Sequence, residues 1–134
     1  MVFVFAAVNS QSKELNNFLA GTKYFANTTV FASIKISKYE LSKDLNSWGG
    51  FGNFIEFEEK SFISYSYPEC RHDCFITIKG DYYFLRENAI KINVTSFESS
   101  YYCDQSIKQK PFLASYFHVK KTTAGWNLVR CKKD

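Results

Sequence analysis

The chain has 134 residues, of which 46% are hydrophobic, 22% are charged and 19% are aromatic. This length is typical of one domain, and the hydrophobic share excludes an intrinsically disordered chain. With two prolines and six glycines the chain is neither collagen-like nor of low complexity. A net charge of +4 without a basic stripe is typical of an ordinary solvated surface, so we expect no nucleic-acid partner.

Residues 1–10 form an apolar run that ends in small residues. Val8 and Ser10 fit the two key positions of a signal-peptidase site before Gln11, and the run is too short to span a membrane. We interpret residues 1–10 as the remnant of a secretory signal and residues 11–134 as one domain. The alternative is an N-terminal strand on a sheet edge. The expected location is secreted or periplasmic.

Four cysteines, an even count in a small exported chain, predict disulfides with three possible pairings. The segment between the first two also contains His72, which could join the cysteines as a zinc ligand. The spacing is not that of a zinc finger and export favours disulfides, so we predict no metal. The disulfide candidates are Cys70, Cys74, Cys103 and Cys131.

Residues 12–20 have helical spacing of apolar side chains, with Ser12 as an N-cap and Gly21 as a stop. Beyond Gly21 the pattern alternates, except at 38–47, where we expect a helical turn, and at 48–52, where glycines indicate a loop. Turns are predicted at 59–60, 80, 87–88 and 123–125. The predicted strands are 29–36, 54–58, 61–67, 74–79, 81–86, 89–97, 112–120 and 126–132.

These eight strands have short connections and no helical crossovers, which predicts an all-β antiparallel fold. The same alternation fits a closed barrel and a two-sheet sandwich.

Three segments resemble the bacterial lipocalin-like domain, a secreted barrel of the calycin type. Residues 19–24 (Leu-Ala-Gly-Thr-Lys-Tyr) stand where those proteins carry a Gly-x-Trp entry to the first strand, although Tyr24 lies one place late. Residues 54–62 match a strand–turn–strand, and residues 79–84 are similar to a Gly-x-Tyr strand; a later Thr-Asp-Tyr segment is missing. The resemblance implies an eight-stranded meander barrel with a short N-terminal helix. It also implies that Arg130 packs over the barrel end, the alternative being a surface arginine.

A barrel of this size holds either its own side chains or one small ligand. We predict a non-enzymatic protein that binds a small, mostly apolar molecule in a pocket lined by Tyr65, Tyr82, Phe84 and Tyr116. Alternatively these aromatics fill the core, and the protein is a secreted protein–protein interaction module that uses its outer face and loops. Outward aromatics, for which the candidates are Phe31, Phe62 and Phe75, would favour that function.

Catalytic motifs are missing from the sequence. It contains no Gly-x-Ser-x-Gly elbow, no phosphate-binding glycine loop and no His-Glu-x-x-His. The two histidines are His72 and His118, and the second alternates in phase with Tyr116, which is typical of a partly buried, hydrogen-bonded side chain. We therefore predict neither an enzyme nor a cofactor.

Overall fold

The computed structural model describes residues 16–33, 35–45, 52–67, 75–100 and 113–131. Within these ranges the chain forms eight β-strands and no helix. The strands are β1 (Thr22–Ala26), β2 (Lys38–Ser42), β3 (Gly52–Phe57), β4 (Ser61–Tyr67), β5 (Ile76–Arg86), β6 (Ala89–Ser99), β7 (Leu113–Lys121) and β8 (Gly125–Arg130).

The strands form a closed antiparallel barrel in the order β1-β2-β8-β7-β6-β5-β4-β3. Strands β3 to β8 follow one another as a meander, whereas β1 lies between β2 and β3, and β2 pairs with β8. The first two strands are thus exchanged relative to a simple up-and-down barrel. The predicted all-β antiparallel barrel is confirmed, and its closure excludes the two-sheet sandwich.

Three local predictions were wrong. The described residues of the predicted strand 29–36 do not form a strand, because the buried pair Val30 and Phe31 is adjacent and does not alternate. Residues 38–42 form strand β2 and not a helical turn, since Tyr39 and Leu41 alternate with exposed neighbours. Gly80 makes no hairpin turn, because β5 runs through it with a bulge after Lys79.

The predicted N-terminal helix lies partly outside the described residues, as do the predicted signal remnant 1–10 and its cleavage site. The described part, residues 16–20, forms a turn. The Oδ1 atom of Asn17 accepts hydrogen bonds from the backbone N–H groups of Leu19 and Ala20, both at 3.1 Å. Asn17 thereby holds the chain in the bend that leads into β1.

Both ends of the barrel are covered by chain segments. The turn end carries the hairpin turns at 58–60, 87–88 and 122–124 and is covered by Phe18, whose ring stacks on Trp126 at 4.3 Å. The opposite end is crossed by residues 29–33 and 35–37, which we call the strap.

The interior of the barrel is packed with side chains. Tyr24, Tyr39, Phe57 and Phe117 are the largest fully buried groups. The Phe57 ring lies 6.1 Å from Tyr24 and 5.1 Å from Tyr82, both in edge-on contact. Such packing is typical of an eight-stranded barrel filled by its own residues.

Candidate functional site

The four aromatic residues predicted to line a pocket do not lie together. Tyr82 is buried inside the barrel, and Phe84 is partly buried in contact with Phe18 at the turn end. Tyr65 lies on the outer face, because β4 turns Phe62 and Ser64 inward, and Tyr116 is 44% exposed. Alternation showed which residues share a face of each strand, but not which face is inside.

Two aromatics expected on the outer faces, Phe31 and Phe62, lie inside the barrel instead. Phe31 belongs to the strap and is only 3% exposed. Its ring lies 5.6 Å from Tyr39, 5.0 Å from Phe62 and 5.3 Å from Phe117. We call these three surrounding rings the ring cage. The backbone of Phe31 has a φ of 68°, a left-handed conformation that aromatic residues rarely adopt.

Arg130 covers the strap end of the barrel, the position that the resemblance implied. Its Nε donates to the Ile36 carbonyl at 3.0 Å and its Nη2 to the Ser33 carbonyl at 3.2 Å. The Nη1 atom donates to Oγ of Ser115 at 3.0 Å, and the guanidinium carbon lies 4.8 Å from the centre of the Phe117 ring. In the part of the chain that the structure describes, no carboxylate forms an ion pair with this guanidinium.

Two hydroxyl groups also hold the strap. Tyr39 donates its hydroxyl hydrogen to the Ser33 carbonyl at 3.2 Å, and Ser64 donates to the Val30 carbonyl at 2.8 Å. Burial raises the pKa of Tyr39, while its hydrogen bonds and the charge of Arg130 partly oppose that rise. The Tyr39 hydroxyl is therefore a neutral donor at physiological pH.

A cleft of about 720 Å³ opens where β1 meets β2. Only two residue pairs of these strands are in register, Phe25 with Ser42 and Ala26 with Leu41. The barrel wall therefore has little strand pairing at this point. We call this cavity the seam cleft. Its apolar lining is Phe25, Ala26, Leu41 and Ala124, and its polar lining is Asn27, Glu40, Ser42, Asn53, Thr122, Thr123 and Asn127.

Two asparagine amides in the seam cleft have a fixed orientation. The Oδ1 atom of Asn27 accepts from the backbone N–H of Glu40 at 2.9 Å, and that of Asn53 accepts from the Thr29 hydroxyl at 2.9 Å. Each side chain keeps its Nδ2 group as a donor for another partner. The Glu40 carboxylate lies 3.6 Å from Nζ of Lys38 in an exposed pair and supplies an acceptor.

The outer wall carries a row of three side chains across β5, β6 and β7. Tyr83 is in register with Lys91, and Lys91 with Tyr116. The Lys91 ammonium lies 6.0 Å from the Tyr83 ring centre and 5.7 Å from that of Tyr116. Tyr83 and the nearby Leu85 are about half exposed. We call this set the outer tyrosine row.

Cys131 follows β8 as a half-buried residue with a free thiol. It is the one cysteine in the described ranges. Its predicted partners Cys70, Cys74 and Cys103, and also His72, lie outside those ranges. His118 is half-buried on β7, the partial burial that its alternation predicted.

The comparisons with protein-family models, curated proteins and solved structures find no match to this chain. Across the described ranges, no helix is long and apolar enough to cross a membrane. In the same ranges, no three metal-ligating side chains lie close enough to hold an ion.

Proposed function

We propose that this protein is a secreted, lipocalin-like, non-enzymatic binding protein whose ligand is a small, mostly apolar molecule held in the seam cleft. The observation that carries the proposal is the cleft itself. Its volume of about 720 Å³ lies within the range of small-molecule sites, and its lining combines apolar side chains with polar groups that can orient a ligand.

The filled interior favours the seam cleft over the barrel axis as the site. A ligand on the axis would have to replace rings that already contact one another, such as Phe57 and Tyr82. A ligand in the seam cleft displaces only solvent, chiefly from the partly exposed Phe25, because Leu41 is already buried in the core. Apolar burial of this kind contributes about 25 cal/mol per Å² before ordering costs.

The polar lining favours a ligand with one polar end. Asn27 and Asn53 each present an amide N–H group whose orientation is fixed by a hydrogen bond to the oxygen of the same amide. Glu40 adds an acceptor on the same side. An oxygen-bearing head group would bind these donors, while the hydrocarbon part would lie against Phe25.

Native mass spectrometry of protein purified from its own host tests this proposal. Ala124→Trp places an indole in the seam cleft, whereas Ala114→Trp makes the same change at an exposed alanine outside it. We expect a small-molecule adduct on the wild type and on Ala114→Trp, lost on denaturation, and no adduct on Ala124→Trp. An adduct that survives Ala124→Trp, or a bare wild-type protein, would contradict the proposal.

The second candidate is a protein-interaction module, and the outer tyrosine row is the observation that favours it. Tyr83 and Tyr116 are 49% and 44% exposed on adjoining parts of one wall. Exposed aromatic clusters of this kind are frequent at partner sites. A bare wild-type protein in the mass-spectrometry experiment would favour this function.

A further inference from the structure

The strap presents two chemical groups to the end of the barrel. The first is the phenyl ring of Phe31, which occupies the ring cage. The second is the carbonyl oxygen of Ser33, two residues further along the chain. Together they have the form of a small molecule with an aromatic ring at one end and an oxygen acceptor at the other.

Two strong donors converge on that single oxygen. The Tyr39 hydroxyl and the Arg130 guanidinium both donate to the Ser33 carbonyl, each at 3.2 Å. Hydrogen bonds from a guanidinium are shorter and stronger when the acceptor is charged. A carboxylate would therefore be a better acceptor at this point than the neutral carbonyl that occupies it.

Arg130 supports an anionic ligand for a second reason. Its three hydrogen bonds go to two carbonyl oxygens and one hydroxyl oxygen, all of them neutral. Buried charged side chains are usually paired, yet among the described residues no carboxylate pairs with the half-buried Arg130 guanidinium. Within the described part of this barrel end, the positive charge of Arg130 therefore has no negative partner.

The strap is held in a way that permits its replacement. None of its described residues belongs to a strand. Side chains of the wall donate four hydrogen bonds to its carbonyls, and the Arg130 backbone N–H donates to the Ser37 carbonyl at 2.7 Å where the strap meets β2. The left-handed backbone of Phe31 is strained, and that strain disappears when the ring leaves the cage. A ligand that supplies its own ring would replace the contacts that Phe31 makes.

We infer that the strap end is a binding site for an aryl carboxylate, which displaces Phe31 and Ser33. The aromatic ring of the ligand would enter the ring cage, and its carboxylate would bind Arg130 and Tyr39. The site is distinct from the seam cleft, since none of these residues lines that cavity. The inference therefore stands independently of the proposed function.

Binding of 3-phenylpropanoate, measured by calorimetry at pH 7, tests this inference. The control ligand is 3-phenylpropanol, an analogue that lacks the carboxylate charge. Phe31→Gly empties the ring cage and fits the left-handed backbone. Because the strap no longer competes, we expect this variant to bind the acid at least about tenfold more tightly than the wild type. We also expect it to bind the acid more tightly than the alcohol. Equal affinities for acid and alcohol would overturn the inference.

Arg130→Gln in the Phe31→Gly background separates the contribution of the guanidinium charge to ligand affinity from that of the emptied ring cage. We expect the double variant to lose its preference for the acid and to keep its affinity for the alcohol. A preference that persists without Arg130 would show that the carboxylate binds elsewhere and would overturn the assignment.

The wild type provides a test that does not depend on the folding of a variant. In a titration with 3-phenylpropanoate followed by amide NMR, we expect shifts at Ala32 and Lys35 of the strap. The β5–β6 turn, Glu87 and Asn88, is the internal reference at the other end of the barrel. Shifts confined to other parts of the chain, or no shifts at saturating probe, would refute displacement of the strap.

Discussion

At the scale of single residues, two buried tyrosines of the interior differ in how their hydroxyl groups are satisfied. The Tyr82 hydroxyl donates to the Glu58 carbonyl and accepts from Nδ2 of Asn17 at 3.0 Å. The Tyr24 hydroxyl is fully buried without a hydrogen-bond partner among the described residues, although Thr22 and Trp126 are polar neighbours. A buried hydroxyl without a partner costs about 1 to 3 kcal/mol.

Tyr24→Phe should therefore stabilise the protein, and Tyr82→Phe should destabilise it. We expect the free energy of unfolding to rise by about 1 kcal/mol in the first variant and to fall by about 1 kcal/mol in the second. Urea denaturation of the three proteins measures both changes. The two substitutions remove the same atom from the same barrel, so changes of equal sign would contradict this account.

The pKa of Tyr24 also predicts how stability depends on pH. Burial raises this pKa above its ordinary value of 10.0, and it does the same for Tyr39 and Tyr82. As pH rises, these tyrosines therefore ionise in the unfolded chain before they ionise in the folded protein. The contribution of their raised pKa values to the free energy of unfolding is fully present below about pH 10 and is lost as pH rises through the folded pKa.

We expect the free energy of unfolding of the wild type to fall above about pH 10 and that of Tyr24→Phe to fall less steeply. Urea denaturation at pH 9 and pH 11 measures the difference between the two proteins, in which the shared ionisation of the lysines cancels. Parallel pH profiles would show that Tyr24 ionises equally in both states.

At the scale of strands and turns, the sequence predicted the hairpin turns correctly where turn-forming residues separate two strands. The turns at 59–60, 87–88 and 123–125 were predicted, and each joins neighbouring antiparallel strands. The backbone N–H of Thr122 donates to the Gly125 carbonyl at 3.0 Å across the last of them. Such local chemistry can be read from the sequence because it depends on few residues.

The predicted number of strands was right only because errors cancelled. The strap was counted as a strand and β5 was counted twice, whereas β1 and β2 were missed as alternating strands. The alternation beyond Gly21 and the lipocalin-like resemblance near Tyr24 both indicated a strand there, but no bounds were assigned to it. Both missed strands are five residues long, close to the shortest length at which alternation indicates a strand.

Gly80 shows why one apparent turn is the middle of a strand. A Cβ atom at this position would overlap the Asn93 carbonyl and lie 2.9 Å from the Phe62 ring. The glycine therefore permits close approach of β5 to β6 at the bulge. Sequence alone cannot tell this use of glycine from a turn, because both need a residue without a side chain.

Gly80→Ala should cost about 3 kcal/mol of unfolding free energy, because the backbone carbonyl cannot move away without breaking the ladder. Gly21→Ala is the matched control, since it has a positive φ but no atom within 4 Å of an added Cβ. We expect the control to cost only about 1 kcal/mol for its left-handed backbone. Thermal and urea unfolding compare the two, and a cost no larger at Gly80 than at Gly21 would contradict the steric argument.

At the scale of the whole molecule, the fold class followed from the sequence and the two proposed binding sites did not. The polar lining of the seam cleft comes from separate strands and turns, with Asn27, Asn53 and Asn127 far apart in the chain. Their proximity depends on the exchanged order of β1 and β2, for which the sequence carries no local signal. Arg130 was singled out only through the resemblance, and its bonds to the strap became visible only in three dimensions.

The same strand order has a consequence for biosynthesis. Strand β2, residues 38–42, finds its wall partner in β8, residues 125–130. During translation β2 therefore leaves the ribosome before β8, the strand that completes the wall beside it. Until then β2 has one unpaired edge, which other chains can pair with. The unpaired edge of β2 is thus a place where the nascent chain can aggregate until β8 has been made.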